Sequence, residues 1–327
     1  MIREIAVPVT LGLALFLFGM KVMEIALHKW AGAQMKKWME RFTETPFRGM
    51  MAGTFSTAIL QSSTAITLVV IGLVNARVLT FPRTLGIILG TNIGSCVTTE
   101  LVGLNITEWA LPLLTLFIPV SMIGAGGTIV MPSLARARYG ASIFRTLQYG
   151  GIAISGFACI LLGMEVMQSI VPSLQSRGLF TWFLEQSKQS LLWGILAGGL
   201  LTGIIQSSAA TIAIAMGLAS VQAISLDLGI AIVLGANIGT CLTSIIASIG
   251  ASKAGQFVAW SHVALNVFGV ILFYPLVPLL REAAMWMGDA PSSQIAHAQT
   301  IFNIACSVLA LPICYLSFWH KSKIFRP

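Results

Sequence analysis

The chain repeats itself. Thr57-Ala58-Ile59-Leu60-Gln61-Ser62-Ser63-Thr64-Ala65 recurs as Thr202-Gly203-Ile204-Ile205-Gln206-Ser207-Ser208-Ala209-Ala210, an offset of 206 − 61 = 145. Leu89-Gly90-Thr91-Asn92-Ile93-Gly94-Ser95-Cys96 recurs as Leu234-Gly235-Ala236-Asn237-Ile238-Gly239-Thr240-Cys241, and 235 − 90 is again 145. Upstream, Leu17-Phe18-Gly19-Met20-Lys21-Val22-Met23 resembles Leu161-Leu162-Gly163-Met164-Glu165-Val166-Met167 at an offset of 163 − 19 = 144. Three matches in register mark an internal duplication, so the chain must fold into two similar parts that meet.

Composition decides in which solvent they meet. Hydrophobic residues make up 56% of the 327 residues and charged residues 9%, against roughly 25% charged in a globular protein. The mean hydropathy is +0.88. So few charges could not keep a surface wet, which excludes an aqueous enzyme and a nucleic-acid-binding module. The expected class is an all-α integral membrane protein. Its formal charge of +8 then belongs in cytoplasmic loops. Cys96, Cys159, Cys241, Cys306 and Cys314 lie in apolar runs without metal-ligand spacing and read as small buried hydrophobes.

Residues 5–27, 106–131, 144–171, 257–280 and 295–318 are apolar runs of spanning length. Residues 49–75 and 191–222 are apolar but interrupted by Gln-Ser-Ser. Residues 86–104 and 229–250 are apolar but interrupted by Gly-x-Asn-Ile-Gly. Polar breaks at membrane depth are tolerated where they are buried in protein or line a cavity. The expectation is two re-entrant hairpins (49–75 and 191–222) and two broken crossing helices (86–104 and 229–250). About seven crossings result. Residues 1–131 form a first repeat, 144–280 a second, and 295–327 an added span and tail. The first repeat crosses an odd number of times, so the second enters inverted, an arrangement familiar in secondary transporters. Most basic residues, among them Lys29, Lys36, Lys37, Arg48, Arg83 and Lys253, fall on one side, with Arg3, Arg177, Lys188 and Arg281 on the other. The positive-inside rule then puts the N-terminus outside and the C-terminus in the cytoplasm of a cell (inner or plasma) membrane.

The interruptions carry the chemistry. A hairpin tip frees backbone N–H and C=O groups, and the returning half-helix starts with positive partial charge. Gln61, Ser62, Ser63, Thr64, Gln206, Ser207 and Ser208 add hydroxyls and carboxamides that can donate to an oxyanion and coordinate a hard cation. Asn92 and Asn237 add a donor and an acceptor each, and Ser95 and Thr240 add hydroxyls. The Gly-x-Asn-Ile-Gly segments also fit a small-residue packing interface. No Lys or Arg enters the four interrupted segments. A hydroxyl-rich, carboxylate-poor site suits Na⁺ with an anion. Ionisable groups for a proton-driven carrier are few: Glu100, Glu165, His262, and Lys21 with Glu24, whose i, i+3 spacing reads as an ion pair. His262 and Asn266 share a helix face and read as structural, and His297 receives no function. Asn105-Ile106-Thr107 has the form of a glycosylation sequon but abuts a span.

Taken together, the paired Gln-Ser-Ser clusters, the paired Gly-x-Asn-Ile-Gly segments and His262-x-x-x-Asn266 resemble the Na⁺/phosphate cotransporter II family over about residues 5–315, in its short bacterial form without a PhoU-like domain. The resemblance implies an inverted-repeat secondary transporter coupling Na⁺ to inorganic phosphate. Gln61, Ser62, Ser63, Gln206, Ser207 and Ser208 would line the phosphate and Na⁺ sites with Asn92 and Asn237 beside them. The chain departs from the family where a third Ser is common, at Thr64 and Ala209, and where His is frequent, at Gln299. Expected partners are phosphate, Na⁺ as coupling ion, and membrane lipid. No cofactor and no nucleic acid are expected, and self-association is open. An anion pore, a proton-coupled carrier of another oxyanion and a non-transporting membrane subunit stay as alternatives.

Overall fold

The computed structural model describes residues 6–75, 79, 81–130, 138–175 and 178–316, and no β-strand occurs among them. The helices are α1 (Val7–Phe42), α2 (Pro46–Leu60), α3 (Ser63–Asn75), α4 (Phe81–Gly103), α5 (Ala110–Val130), α6 (Arg138–Gln168), α7 (Val171–Gln175), α8 (Gly178–Gln189), α9 (Leu192–Ile205), α10 (Ser208–Ser220), α11 (Leu226–Ala247), α12 (Lys253–Phe273), α13 (Val277–Met287) and α14 (Pro291–Ala310). Among the described residues seven stretches are long and apolar enough to cross a bilayer: Val7–Met39, Phe81–Gly103, Thr107–Gly127, Gly140–Ser173, Leu226–Ile246, Lys253–Met287 and Pro291–Tyr315. The protein is a multi-pass, all-α membrane protein. Arg3, Arg177 and the tail expected beyond residue 318 lie outside the described residues.

The duplication carries through to the elements. Adding 145 to the bounds of α3 gives those of α10, and adding it to Phe81, where α4 starts, gives Leu226, where α11 starts. α2 and α3 have 15 and 13 residues, α9 and α10 14 and 13. At 1.5 Å per residue each reaches roughly 20–22 Å, short of a ~30 Å hydrocarbon core.

The broken helices expected at 86–104 and 229–250 are not broken. α4 and α11 run without interruption through both Gly-x-Asn-Ile-Gly segments. The physical reason is packing. A Cβ at Gly90 would lie 2.0 Å from Met50 O of α2, and one at Gly53 of α2 would lie 2.3 Å from Ile87 O of α4. The same contacts recur 145 residues on: Gly235 against Ile195 O at 1.9 Å, and Gly198 against Ile232 O at 2.0 Å. Backbones this close leave no room for side chains. Without a hydrophobic drive between helices in lipid, such contact is what holds them. The glycines therefore mark a seam between helices, and their helix-propensity cost of about 1 kcal/mol each is offset by contact.

The helices group into two compact units. One contains α1 up to residue 36, residues 59–61 and residues 105–174. Inside it α1 crosses α6 through the third sequence match: a Cβ at Gly19 would meet Gly156 O at 2.4 Å, and one at Gly163 would meet Gly12 O at 2.6 Å. Lys21 and Glu24 form the expected ion pair, 2.9 Å apart. The other unit holds α2 up to residue 58, α3, α4 and α8–α14. Its apolar core joins Ile195 of α9, Ile230 and Leu234 of α11, Phe273 of α12, Leu280 of α13 and Phe302 of α14. Arg281 of α13 reaches Asp227 at 2.9 Å, in the first turn of α11, where a carboxylate also suits the helix dipole.

Candidate functional site

The Gln-Ser-Ser segments are where helices stop. α2 gives way to α3, and α9 to α10, within two residues each. Gln61 and Gln206 take positive φ, 53° and 59°, which side-chain-bearing residues seldom adopt. That conformation ends a helix and turns the chain, at a cost of order 1–3 kcal/mol. It occurs at both positions related by the 145-residue offset. Gln206 keeps its backbone N–H on Thr202 O at 2.8 Å, and its side-chain amide donates to Gly203 O.

The serines that follow cap the next helix. Ser207 Oγ accepts from Ala210 N at 3.2 Å, and Ser62 Oγ accepts from Ala65 N at 3.3 Å. One cap satisfies one of the free N–H groups of a first turn and leaves others unpaired at the positive helix end. Ser63 and Ser208 are the first residues of α3 and α10, half-buried, as are Gln61 and Ser62. Ser207 is 8% exposed, while Thr64 and Gln206 are exposed. α3 packs on α4, α11 and α12, and α10 packs on α11, α4 and α14. Each half-helix thus touches both Asn-bearing helices.

The two asparagines have different partners. Asn92 Oδ1 lies 3.0 Å from His262 Nε2, and His262 Nδ1 lies 2.8 Å from Ser244 Oγ. A carboxamide oxygen only accepts, so Nε2–H donates to Asn92 and Nδ1 accepts the Ser244 hydroxyl proton, which satisfies a neutral imidazole at both nitrogens. Asn266 Nδ2 donates to His262 O at 3.0 Å, one turn along α12. Among the described residues Asn237, 8% exposed, donates only within its own helix, to Val233 O at 2.9 Å. Ser95 Oγ donates to Asn92 O at 2.7 Å and Thr240 Oγ1 to Ala236 O at 2.9 Å. Both hydroxyls keep lone pairs that a cation can use.

Two polar features need the structure to be read: a pair of hydroxyls that the sequence did not single out, and the partners of Glu100, a residue that it did. Thr57 and Thr202, related by the 145-residue offset, have buried hydroxyls without a hydrogen-bond partner among the described residues. They sit one turn before Gln61 and Gln206. Their place in the repeat was visible, but burial was not. The second is Glu100 on α4, whose carboxylate lies 3.0 Å from His297 Nδ1 and accepts from Thr300 Oγ1, both on α14. His297 near a span end gave no hint of a partner 197 residues away. Among the described residues no group of three His, Cys, Asp or Glu could hold a metal ion.

The description Na⁺/Pi-cotransporter fits the chain twice, over residues 15–169 and 159–285. The chain belongs to the Na⁺/Pi-cotransporter family. Members of this family are transporters, not enzymes. The two overlapping matches agree with the duplication read at offset 145. The chain is 32% identical over 305 residues to the Bacillus subtilis protein named "Uncharacterized protein YqeW", covering 93% of this chain and 92% of that one. It is 25% identical over 300 residues to the Escherichia coli protein named "Putative inorganic phosphate export protein YjbB", covering 91% of this chain but only 52% of that longer protein. It is 33% identical over 133 residues to the human sodium-dependent phosphate transport protein 2C, covering 38% and 22%. No solved structure matches the chain.

Proposed function

We propose that the protein is a secondary active carrier that couples Na⁺ to the movement of inorganic phosphate across the cell membrane. One observation carries the reading: two symmetry-related helix breaks, each with a strained Gln and a capping Ser, each opening a half-helix packed on both Asn-bearing helices. The free N–H groups of α3 and α10 would hold the phosphate oxygens. Hydroxyls of Ser62, Ser63, Ser207 and Ser208, with oxygens of Asn92, Asn237, Ser95 and Thr240, would supply Na⁺ ligands. The breaks read as tips of re-entrant hairpins (49–75 and 191–222) in an inverted repeat, with the N-terminus outside and the C-terminus cytoplasmic. Relatives named for phosphate export and for sodium-dependent transport fit one machine, because a coupled carrier runs in the direction its gradients set.

The test is labelled-phosphate uptake into proteoliposomes under an inward Na⁺ gradient and under a matched K⁺ gradient. Saturable uptake with Na⁺ alone, lost in Gln61→Ala and Gln206→Ala, is expected. Uptake indifferent to the cation would sink the coupling. A second reading, proton coupling, draws on the Glu100–His297–Thr300 cluster inside a span. It requires that Glu100→Gln abolish uptake driven by an inward pH gradient in the absence of Na⁺.

A further inference from the structure

α12 meets α11 and α14 meets α4 through the same contacts. Cys241 of α11 donates its thiol to His262 O of α12 at 3.7 Å, and Cys96 of α4 donates to Gln299 O of α14 at 3.9 Å. One turn along, a buried asparagine donates to each of those carbonyls: Asn266 to His262 O at 3.0 Å and Asn303 to Gln299 O at 3.1 Å. The two cysteines are related by the 145-residue offset, whereas α12 lies inside the second repeat and α14 outside both. The added span thus does for α4 what α12 does for α11, and Gln299 holds the place of His262.

The equivalence extends to the second helix that each residue faces. His262 reaches past α11 to Asn92 of α4. The residue of α11 that corresponds to Asn92 is Asn237. The neighbours of Gln299 direct it there. Ile295, four residues before it, would touch a Cβ at Gly229 of α11 at 2.6 Å, and Phe302, three residues after it, packs in the core with Ile230 and Leu234 of α11. Residues 295, 299 and 302 share one helix face.

The chemistry at the two places differs. Asn92 Oδ1 receives an N–H from the His262 ring. Gln299 is 2% exposed, and its Oε1 has no hydrogen-bond partner among the described residues. Asn237 Oδ1 accepts no hydrogen bond among them either. A buried acceptor without a donor is costly, and two carboxamide oxygens turned to one place require positive charge between them. Neither α14 nor residues 229–250 contain Lys or Arg, so the charge has to come from an ion. Neutral amide oxygens suit a hard monovalent cation.

We propose that Gln299 Oε1 and Asn237 Oδ1 are two oxygens of a Na⁺ site between α14 and α11, where the cation does for Asn237 what the His262 N–H does for Asn92. The inference rests on the Na⁺-coupled reading above and adds to its ligands a residue from outside the duplication.

The test uses the full-length protein with NaCl exchanged for KCl at constant ionic strength. Two curves are read against Na⁺ concentration: the rise in melting temperature in detergent, and labelled-phosphate uptake into proteoliposomes. Gln299→Leu keeps the bulk and removes the oxygen. Gln299→His supplies an N–H that can donate to Asn237 Oδ1, so it keeps a tie between the helices without the cation. Both variants should raise the Na⁺ midpoint of both curves by about tenfold or more, the loss expected for one ligand to a charged group. In KCl the histidine variant should melt no lower than the leucine variant, and it alone decides if Gln299→Leu does not fold. A wild-type Na⁺ midpoint in either folded variant overturns the site and leaves Na⁺ coupling standing. A wild-type protein whose melting and uptake both ignore Na⁺ overturns the coupling, and this site with it.

Discussion

Consider Gly235→Ala, which adds one methyl group in the seam between α9 and α11. Its Cβ would lie 1.9 Å from Ile195 O and 2.7 and 2.8 Å from Ile195 C and Cα. Ordinary contact begins at 3.4 Å, so the two backbones must part by about 3.4 − 1.9 = 1.5 Å. No side chain can rotate away, because every obstructing atom is backbone. The cost therefore sits at or above the top of the usual overpacking range, about 3 kcal/mol. Alanine returns about 1 kcal/mol of helix propensity, for a net loss of about 2 kcal/mol. The control is Gly203→Ala on α9, whose Cβ would meet nothing nearer than Leu242 Cδ2 at 3.6 Å. The first repeat already has alanine there, Ala58. That change should be neutral, or stabilising by up to about 1 kcal/mol. Thermal unfolding in detergent can be followed by dye labelling of the buried free thiols of Cys96 and Cys241. A fall of roughly 4–8 °C is expected for Gly235→Ala by the scaling of soluble domains, and none for Gly203→Ala. A Gly235→Ala protein that melts with or above the wild type would refute the close approach of α9 and α11, and with it the account of why these glycines occur.

Other substitutions probe the polar groups. His262→Ala leaves Asn92 Oδ1 and Ser244 Oγ without their partner, so it should destabilise by about 2–3 kcal/mol, read in the same thiol-labelling melt; an unchanged melt would deny that His262 links the two helices. Asn92→Ala should lower that melt because it orphans His262, whereas Asn237→Ala, which removes only a bond within its own helix, should melt near the wild type and still lose phosphate uptake. Equal melting of the two asparagine variants would count against the difference in their partners. Ser62→Ala and Ser207→Ala each remove an N-cap worth about 1 kcal/mol, and both should raise the KM for phosphate in uptake assays; a KM that neither variant moves would take the caps out of the binding site.

Much of the architecture could be read from the residues because it is written twice. Equal segments 145 apart specified equal elements, and polar clusters inside apolar runs marked where half-helices meet. The Gly-x-Asn-Ile-Gly segments misled. Glycines four apart suit a broken helix and a packing stripe equally well, and the deciding fact is the carbonyl of Met50 or Ile195 standing opposite. No residue in the segment itself reports it. The positive φ of Gln61 and Gln206 was equally silent, since glutamine has no local preference for that region, and it accompanies a new helix that starts with only two residues between it and the one before. His262 was read as structural from its i, i+4 spacing to Asn266. Its tie to Asn92 spans 170 positions and could not have been read locally.

That tie is where the symmetry of the duplication fails. The glycine contacts of α2 with α4 and of α9 with α11 are nearly equal, 2.0 and 1.9 Å at Gly90 and Gly235, so this scaffold favours neither repeat. Under the proposed carrier mechanism, two such halves exchange roles between inward-facing and outward-facing states, and equal scaffolds would populate both about equally. A bias must come from contacts without a counterpart. Gln299 of α14 stands against Cys96 as His262 stands against Cys241, but its buried Oε1 has no hydrogen-bond partner among the described residues, and among them Asn237 donates only within its own helix. The two bonds of His262, each worth about 1 kcal/mol, can therefore tilt the equilibrium by up to roughly 30-fold toward whichever state keeps them. If the protein is such a carrier, the duplicated glycine contacts would let the two states have similar energies, and the bonds of His262 would set which one the empty carrier prefers.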